Sequence, residues 1–262
     1  RILPTAERTE LYNNGDGLAY PFESAPEPPT PSPLLDGLIS YWNMDESSGS
    51  MAADTVSTND GTAVGTTPDI GKLGNGRSLN GSSDYIQLSQ DSFESDQAGS
   101  VSMWMKASTT ASGGLFTASE VNASNMLSLQ HMNGGTIGIQ YYTSSTNNMV
   151  ATTSSVDDSG WHHVVLTSDG TAWKLYLDGV EETLALVVGA NTGQWFGDLL
   201  SGTHEVRLGR QQWAGTANYY YNGEIDEVGI WDRTLSASEV LELYNDGDGI
   251  AHPFDPSQPT PT

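Results

Sequence analysis

The sequence has no cysteine, so no disulfide framework holds it and the fold must rest on a hydrophobic core. That absence leaves the compartment open, because a domain of this size needs no disulfides even outside the cell. Positive charge is scarce: nine Lys and Arg stand against 33 Asp and Glu, a formal net charge of −24. Such a surface repels phosphate backbones and anionic lipid, which argues against nucleic acid as a partner. It suits cations, neutral glycans, or solubility in salt. No run of about 18 apolar residues exists, so no membrane span is expected. Two catalytic patterns are also missing, the His-Glu-x-x-His zinc helix and the Gly-x-Ser-x-Gly elbow.

What is present begins with a repeat. Arg1 to Phe22 and Arg233 to Phe254 agree at 13 of 22 positions at an offset of 232, including Glu-Leu-Tyr-Asn and Gly-Asp-Gly. Long-period self-similarity marks arrays. Because the second copy ends a domain, residues 1–22 are expected to be the C-terminal tail of a preceding repeat unit. The competing expectation makes them a helix of this same domain. Pro-rich segments follow both copies, at 23–36 and 255–262, and read as semi-rigid spacers. The complete unit is then 37–254.

Between Gly37 and Trp231, short runs rich in Val, Ile, Tyr, Trp and Thr alternate with clusters of Gly, Asn, Asp and Ser. Strands are expected at Leu38–Asn43, Tyr85–Leu88, Val101–Ala107, Met126–His131, Thr136–Tyr142, His162–Thr167, Trp173–Leu177 and Gly223–Trp231. Asp169-Gly170 and Asp178-Gly179 are hairpin dipeptides. Many antiparallel strands at short spacing predict an all-β sandwich. One helix is expected, Leu235–Asn245, with Ser236 and Glu239 as a capping box and Gly247 as the left-handed stop.

Several phrases, in order, carry a family resemblance. They are Gly37-Leu-Ile-Ser-Tyr-Trp-Asn-Met-Asp45-Glu46, Asn59-Asp60-Gly61-Thr62, Gly81-Ser-Ser-Asp84-Tyr85-Ile86 and Val101-Ser-Met-Trp104. Gly160-Trp-His-His-Val-Val165, Leu175-Tyr-Leu-Asp-Gly179 and Asn222-Gly-Glu-Ile-Asp226-Glu-Val-Gly-Ile-Trp-Asp-Arg-Thr-Leu-Ser236 follow. Together they resemble the laminin G-like domains of the concanavalin A-like lectin/glucanase superfamily. The resemblance implies a two-sheet antiparallel jelly-roll sandwich with a concave face and one short C-terminal helix. It leaves function open, because one fold hosts many.

Glucanases of similar fold carry Glu-x-Asp-x-x-Glu on one strand. Here Glu224-Ile-Asp226-Glu-Val-Gly229 lacks the third carboxylate, so no catalytic activity is expected. The resemblance further implies that His162 and His163 are structural. It also implies a Ca2+ ion tying an N-terminal loop to the closing strand, with Asp45, Asp60 and Asp226 as ligands and Asn59 as a further donor. The plainer alternative is that Asp45 and Asp60 only brace loops through side-chain-to-backbone hydrogen bonds.

Lectin sites pair aromatic rings with a few placed polar groups. Trp42, Trp104, Trp161, Trp173 and Trp231 fall in the family's strand phrases and are expected in the core or on sheet faces, and Tyr221 matches a core aromatic. Trp195 and Trp213 lie in Gly- and amide-rich segments, with Tyr219 and Tyr220 close by. These four, with Arg210 and Gln212, are the expected carbohydrate-binding set. The alternative is that their rings cover the sandwich or pack on a neighbouring unit. Asn80 and Asn122 stand in Asn-x-Ser sequons, which matter only in a glycosylating host. The functional expectation is a non-catalytic carbohydrate-binding or adhesion module of an extracellular, cell-surface or virion-surface protein. Its partners are a glycan and neighbouring repeat units. A purely structural array is the alternative, and a glycan-acting hydrolase the more distant one.

Overall fold

The computed structural model describes residues 3–17, 32–88, 95–120, 125–199, 204–213 and 216–254. The chain forms two compact units, Arg1–Ser32 and Pro33–Thr262.

The first unit holds the helix Thr5–Tyr12, none of whose side chains is buried. It closes as its repeat does in the second unit. Gly17 N–H donates to the Tyr12 carbonyl and Gly249 N–H to the Tyr244 carbonyl, each at 3.1 Å. Asn14 and its counterpart Asp246 are both left-handed, at φ 53° and 54°. Over the described residues 3–17, the repeat in sequence is thus also a repeat in these closing features. Among the positions that differ, Arg8 stands where the second copy has Val240, a fully buried side chain.

The second unit is a jelly-roll sandwich of two antiparallel sheets. The eight-stranded sheet runs Val180–Glu181, Trp173–Leu177, His162–Ser168, Gly99–Ala107, Asn222–Trp231, Asn75–Asn80, Thr67–Ile70, and Leu38–Trp42 also pairs with Asn222–Trp231. The nine-stranded sheet runs Leu184–Val188, Asn147–Thr152, Ile137–Tyr142, Met126–His131, Gly113–Glu120, His204–Leu208, Tyr85–Leu88, Gly61–Val64, Met51–Ala52. A separate ribbon pairs Gln211–Trp213 with Thr216–Asn218. Every expected strand is present within two residues at its ends. The Asp178-Gly179 turn has φ 50° and 80°, the two positive values that a twisted hairpin needs.

Period-two alternation sends Ile86, Leu88, Phe116, Ala118, Leu127, Leu129, Ile139 and Val150 of the nine-stranded sheet into the main core. There they meet Met103, Met105, Val164, Leu166, Leu175, Ile225 and Ile230 of the other sheet. A second core lies on the outer side of the eight-stranded sheet. Tyr41, Val165, Tyr176 and Trp231 there pack with Leu34, Leu235, Val240, Leu243 and Phe254.

The helix is Ala237–Tyr244. Ser236 Oγ accepts from Glu239 N–H and Glu239 Oε2 accepts from Ser236 N–H, the reciprocal pair that the capping box predicts. It ends at Tyr244, one residue short of the expected Asn245, because Asn245 is already left-handed at φ 48°. Asn tolerates that region through its short polar side chain.

Candidate functional site

Side chains that alternate away from the main core form the outer face of the nine-stranded sheet. The register aligns one transverse row: Gln87 beside Arg207, Arg207 beside Thr117, Thr117 beside Ser128, Ser128 beside Gln140, Gln140 beside Met149. This row is polar and small through its centre, unlike the Ile, Leu and Phe rows beneath it.

The ribbon Gln211–Asn218 crosses that face. Gly114 lets it pass, since a Cβ there would sit 2.6 Å from the Arg210 carbonyl carbon and 2.8 Å from the Gln211 nitrogen. Two anchors hold it. Gly114 N–H donates to the Tyr219 carbonyl at 2.9 Å. Gln211 Nε2 donates to Ser128 Oγ at 3.0 Å and also to Gln130 Oε1. Burial therefore covers Thr117, Ser119 and Ser128, whose hydroxyls would otherwise face solvent.

On one side of the ribbon lies a cleft of about 550 Å³. Four carboxamides line it, Gln130, Gln140, Gln211 and Asn218, with the thioethers of Met126, Met132 and Met149. Gly138 makes room for the methionines: a Cβ there would lie 2.6 Å from Met132 Sδ and 3.2 Å from Met149 Cε. Tyr219 stands at the rim, 59% exposed, on a left-handed backbone at φ 46°. Gln140 is fixed by donating to Asn147 Oδ1 at 2.8 Å.

On the other side the Arg210 guanidinium lies 3.8 Å from the centre of the Tyr85 ring. Its Nη1 and Nη2 reach Tyr220 Oη and Gln212 Oε1, each at 3.4 Å. Arg207 pairs with Glu205 and donates to Ser119 Oγ at 3.3 Å. Burial, aided by the charge of Arg210, pushes the Arg207 guanidinium down to about 10.

The expected sugar-binding set is thus divided. Tyr219 reaches the cleft, whereas Tyr220, Arg210 and Gln212 form the cation–aromatic cluster across the ribbon. The backbone of Trp213 pairs with Thr216 in the ribbon. Trp195 corrects the expectation: it is 1% exposed, a core side chain packed edge-on to Phe196 at 4.9 Å, so its ring meets no ligand. Its glycines serve close approach: a Cβ on Gly193 would lie 2.3 Å from the Ala172 nitrogen, and one on Gly197 2.6 Å from the Ser95 carbonyl oxygen. Sequence reading passed over the carboxamides and methionines, since isolated Gln and Met in strands carry no motif. Their signal was alternation, with Gln130 and Gln140 out of phase with Leu129 and Ile139. Asn80 braces its own turn, its Oδ1 accepting Ser82 and Ser83 N–H. Asn122 lies outside the described residues.

The four expected metal ligands do not form one cage. Asp45 and Asp226 approach the same loop, but both are occupied by its amides. Asp226 Oδ2 accepts Lys72 and Leu73 N–H at 2.8 and 3.0 Å, and Asp45 Oδ1 accepts Asn75 N–H at 2.9 Å. Asn59 and Asp60 serve another loop: Asn59 Nδ2 donates to Ser40 Oγ, and Asp60 Oδ1 accepts Asp54 N–H. Among the described residues no three Asp, Glu or His gather as a metal site. This arrangement does not fit the six to eight converging oxygens that calcium requires. It matches the loop-bracing alternative. Asp226 and Glu227 are raised well above the usual carboxylate range, chiefly by burial and with charge repulsion added. Tyr41 Oη donates to Glu227.

Glu224 and Asp226 lie on the eight-stranded sheet beside Lys106 and Trp104, and neither lines the cleft. Glu224 sits 3.7 Å from Lys106 Nζ. His163 is buried between Trp104 and Tyr244, with Nε2 2.8 Å from Ser102 Oγ, and burial lowers it to about 3.

A family model described as the concanavalin A-like lectin/glucanases superfamily matches residues 80–241. A rat protein, Sushi, von Willebrand factor type A, EGF and pentraxin domain-containing protein 1, is 29% identical over 53% of this chain. Mouse neuronal pentraxin-2 is 32% identical over 34% of it. The matched regions span only 4% and 21% of those proteins. Among solved structures, domain 4 of AbnA, an extracellular arabinanase from Geobacillus stearothermophilus in complex with arabinotriose, superposes with a TM-score of 0.62 at 22% identity. That match covers 78% of this chain and 97% of the domain. The CBM40 of a Ruminococcus gnavus sialidase, bound to α2,3 sialyllactose, superposes with a TM-score of 0.56 at 19% identity over 63% and 94% of the two chains.

Proposed function

Since the chain belongs to the concanavalin A-like lectin/glucanase superfamily, we propose that it is a non-catalytic carbohydrate-binding module holding a glycan in the cleft beside Tyr219. The observation that carries this is the lining itself. Carboxamides donate and accept at once, as sugar hydroxyls do. The thioethers and the Tyr219 ring supply apolar surface for the sugar's C–H face. Modules of this fold complexed with arabinotriose and with sialyllactose support the reading.

The non-catalytic part rests on the carboxylates. Retaining glycosidases need two about 5–5.5 Å apart across the scissile bond. The Glu224–Asp226 pair faces away from the cleft, with one member at Lys106 and the other under loop amides. We further place the module outside the cell or on a virion surface, in keeping with the extracellular arabinanase of like fold. Neighbouring copies of the unit are its partners in the chain, with residues 1–22 as another unit's closing motif.

The test is a glycan array followed by calorimetric titration of the wild-type chain and two variants, Tyr219→Ala and Gln140→Ala. Saturable binding that weakens about tenfold or more in each variant, roughly 1.4 kcal/mol, is the expected result. Undiminished binding in both would move the ligand away from the cleft. The repeated closing motif favours a second reading, a spacer in an array. That reading expects a folded chain with no glycan ligand.

A further inference from the structure

We propose that the cleft selects uncharged glycans and rejects those bearing a carboxylate, such as sialylated or uronic acid-containing chains. The inference deepens the carbohydrate-binding reading above and rests on it.

Three observations carry it. First, no described residue lining the cleft is charged. A sugar carboxylate entering it would lose hydration with no cation to replace it, and an unpaired buried charge is costly. Second, the face's own cations are spent elsewhere. Arg207 is neutralised by Glu205, and Arg210 is laid over Tyr85, both across the ribbon from the cleft. The ribbon's Gln211, tied to Ser128 and Gln130, stands between them and any ligand beside Gln140. Third, the whole chain carries 33 acidic against nine basic residues, so its field disfavours the approach of an anion. The lining amides fit a neutral polyol better. Gln140 Nε2 gives one of its two N–H groups to Asn147, which leaves the second N–H and the carbonyl oxygen as a donor and acceptor pair that matches a hydroxyl. A carboxylate has no proton to offer that oxygen.

The structural relatives supply the probes, since arabinotriose is uncharged and sialyllactose is an anion. The full chain would be titrated at low and high salt with arabinotriose, lactose, neutral xylo- and gluco-oligosaccharides, sialyllactose and oligogalacturonate. Tyr219→Ala serves as the site control and thermal unfolding as the fold control. The expected result is binding confined to neutral members, with any anionic analogue at least about tenfold weaker. That gap should narrow as salt screens the field. Equal or tighter binding of an anionic member, lost in Tyr219→Ala, would overturn the charge selectivity and leave the carbohydrate reading standing. A folded chain that binds no member would overturn the carbohydrate reading and this inference with it.

Discussion

Gln211 reaches down from the ribbon to Ser128 at the middle of the nine-stranded sheet, its Nε2 3.0 Å from the serine Oγ. Ser128 Oγ in turn lies 2.9 Å from Thr117 Oγ1, so one amide closes a buried chain of hydroxyls and seats the wall of the cleft.

Gln211→Ala should therefore loosen the wall. Gln211 is 4% exposed, and its loss leaves Ser128 and Gln130 short of a partner. A cost of about 1–3 kcal/mol is expected for the unsatisfied groups. Chemical denaturation would show it as a lower midpoint with an unchanged slope, and glycan affinity should fall in parallel. Unchanged stability would mean that the ribbon is held by its backbone alone.

Tyr219→Ala is expected to behave in the opposite way. The side chain is largely exposed, so stability should change by less than about 0.5 kcal/mol while ligand binding weakens. Comparing the two variants separates support from contact.

His162 makes stability depend on pH. Its Nδ1 is 2.8 Å from Asp178 and its Nε2 2.9 Å from Asp158. The hydrogen bond to Asp178, then that to Asp158, outweigh burial and raise it to about 8. A raised folded value gives stability that is complete below about pH 6.5 and is lost as pH rises through about 8. With Asp158 mostly exposed, roughly 1 kcal/mol remains after screening. Thermal unfolding between pH 6 and 9 should show this loss, and His162→Gln should flatten it.

Chelation is expected to leave the melting temperature unchanged within about 2 °C, a shift that roughly 0.5–1 kcal/mol would bring at this size. The reason is that Asp45 and Asp226 already accept amides of residues 72–75. Asp226→Ala should be damaging, because it strands the N–H groups of Lys72, Leu73 and Glu227. A clear fall in melting temperature on chelation would show that the loop opens to a cation.

Removal of residues 1–32 should likewise leave the sandwich's unfolding within about 2 °C of the full chain, because the two units are separately compact. A larger fall would make residues 1–22 part of this domain, the competing reading of the repeat.

The sandwich was legible because its strands advertise themselves by alternation. Val164 and Leu166 point to one core and Val165 to the other, and the Asp178-Gly179 turn is a local signal. Gly113–Glu120 was missed because every residue in it is buried. Its outward side chains, Thr117 and Ser119, are small and polar and read as loop until the ribbon covers them. Trp195 misled for the converse reason. Gly and amide neighbours look like a surface segment, yet the ring fills the main core.

Local rules thus determined the element types, the helix cap and the repeated closing motif, because propensity, period and capping act over a few residues. Tertiary structure alone decided the site. Gln130, Gln140, Gln211 and Asn218 come from four different strands, and only sheet register and the ribbon's crossing over Gly114 bring them to one cleft. It also decided the fate of the acidic residues. Whether Asp226 holds a cation or an amide depends on which backbone the fold lays across it, and here the fold lays the N–H groups of Lys72 and Leu73.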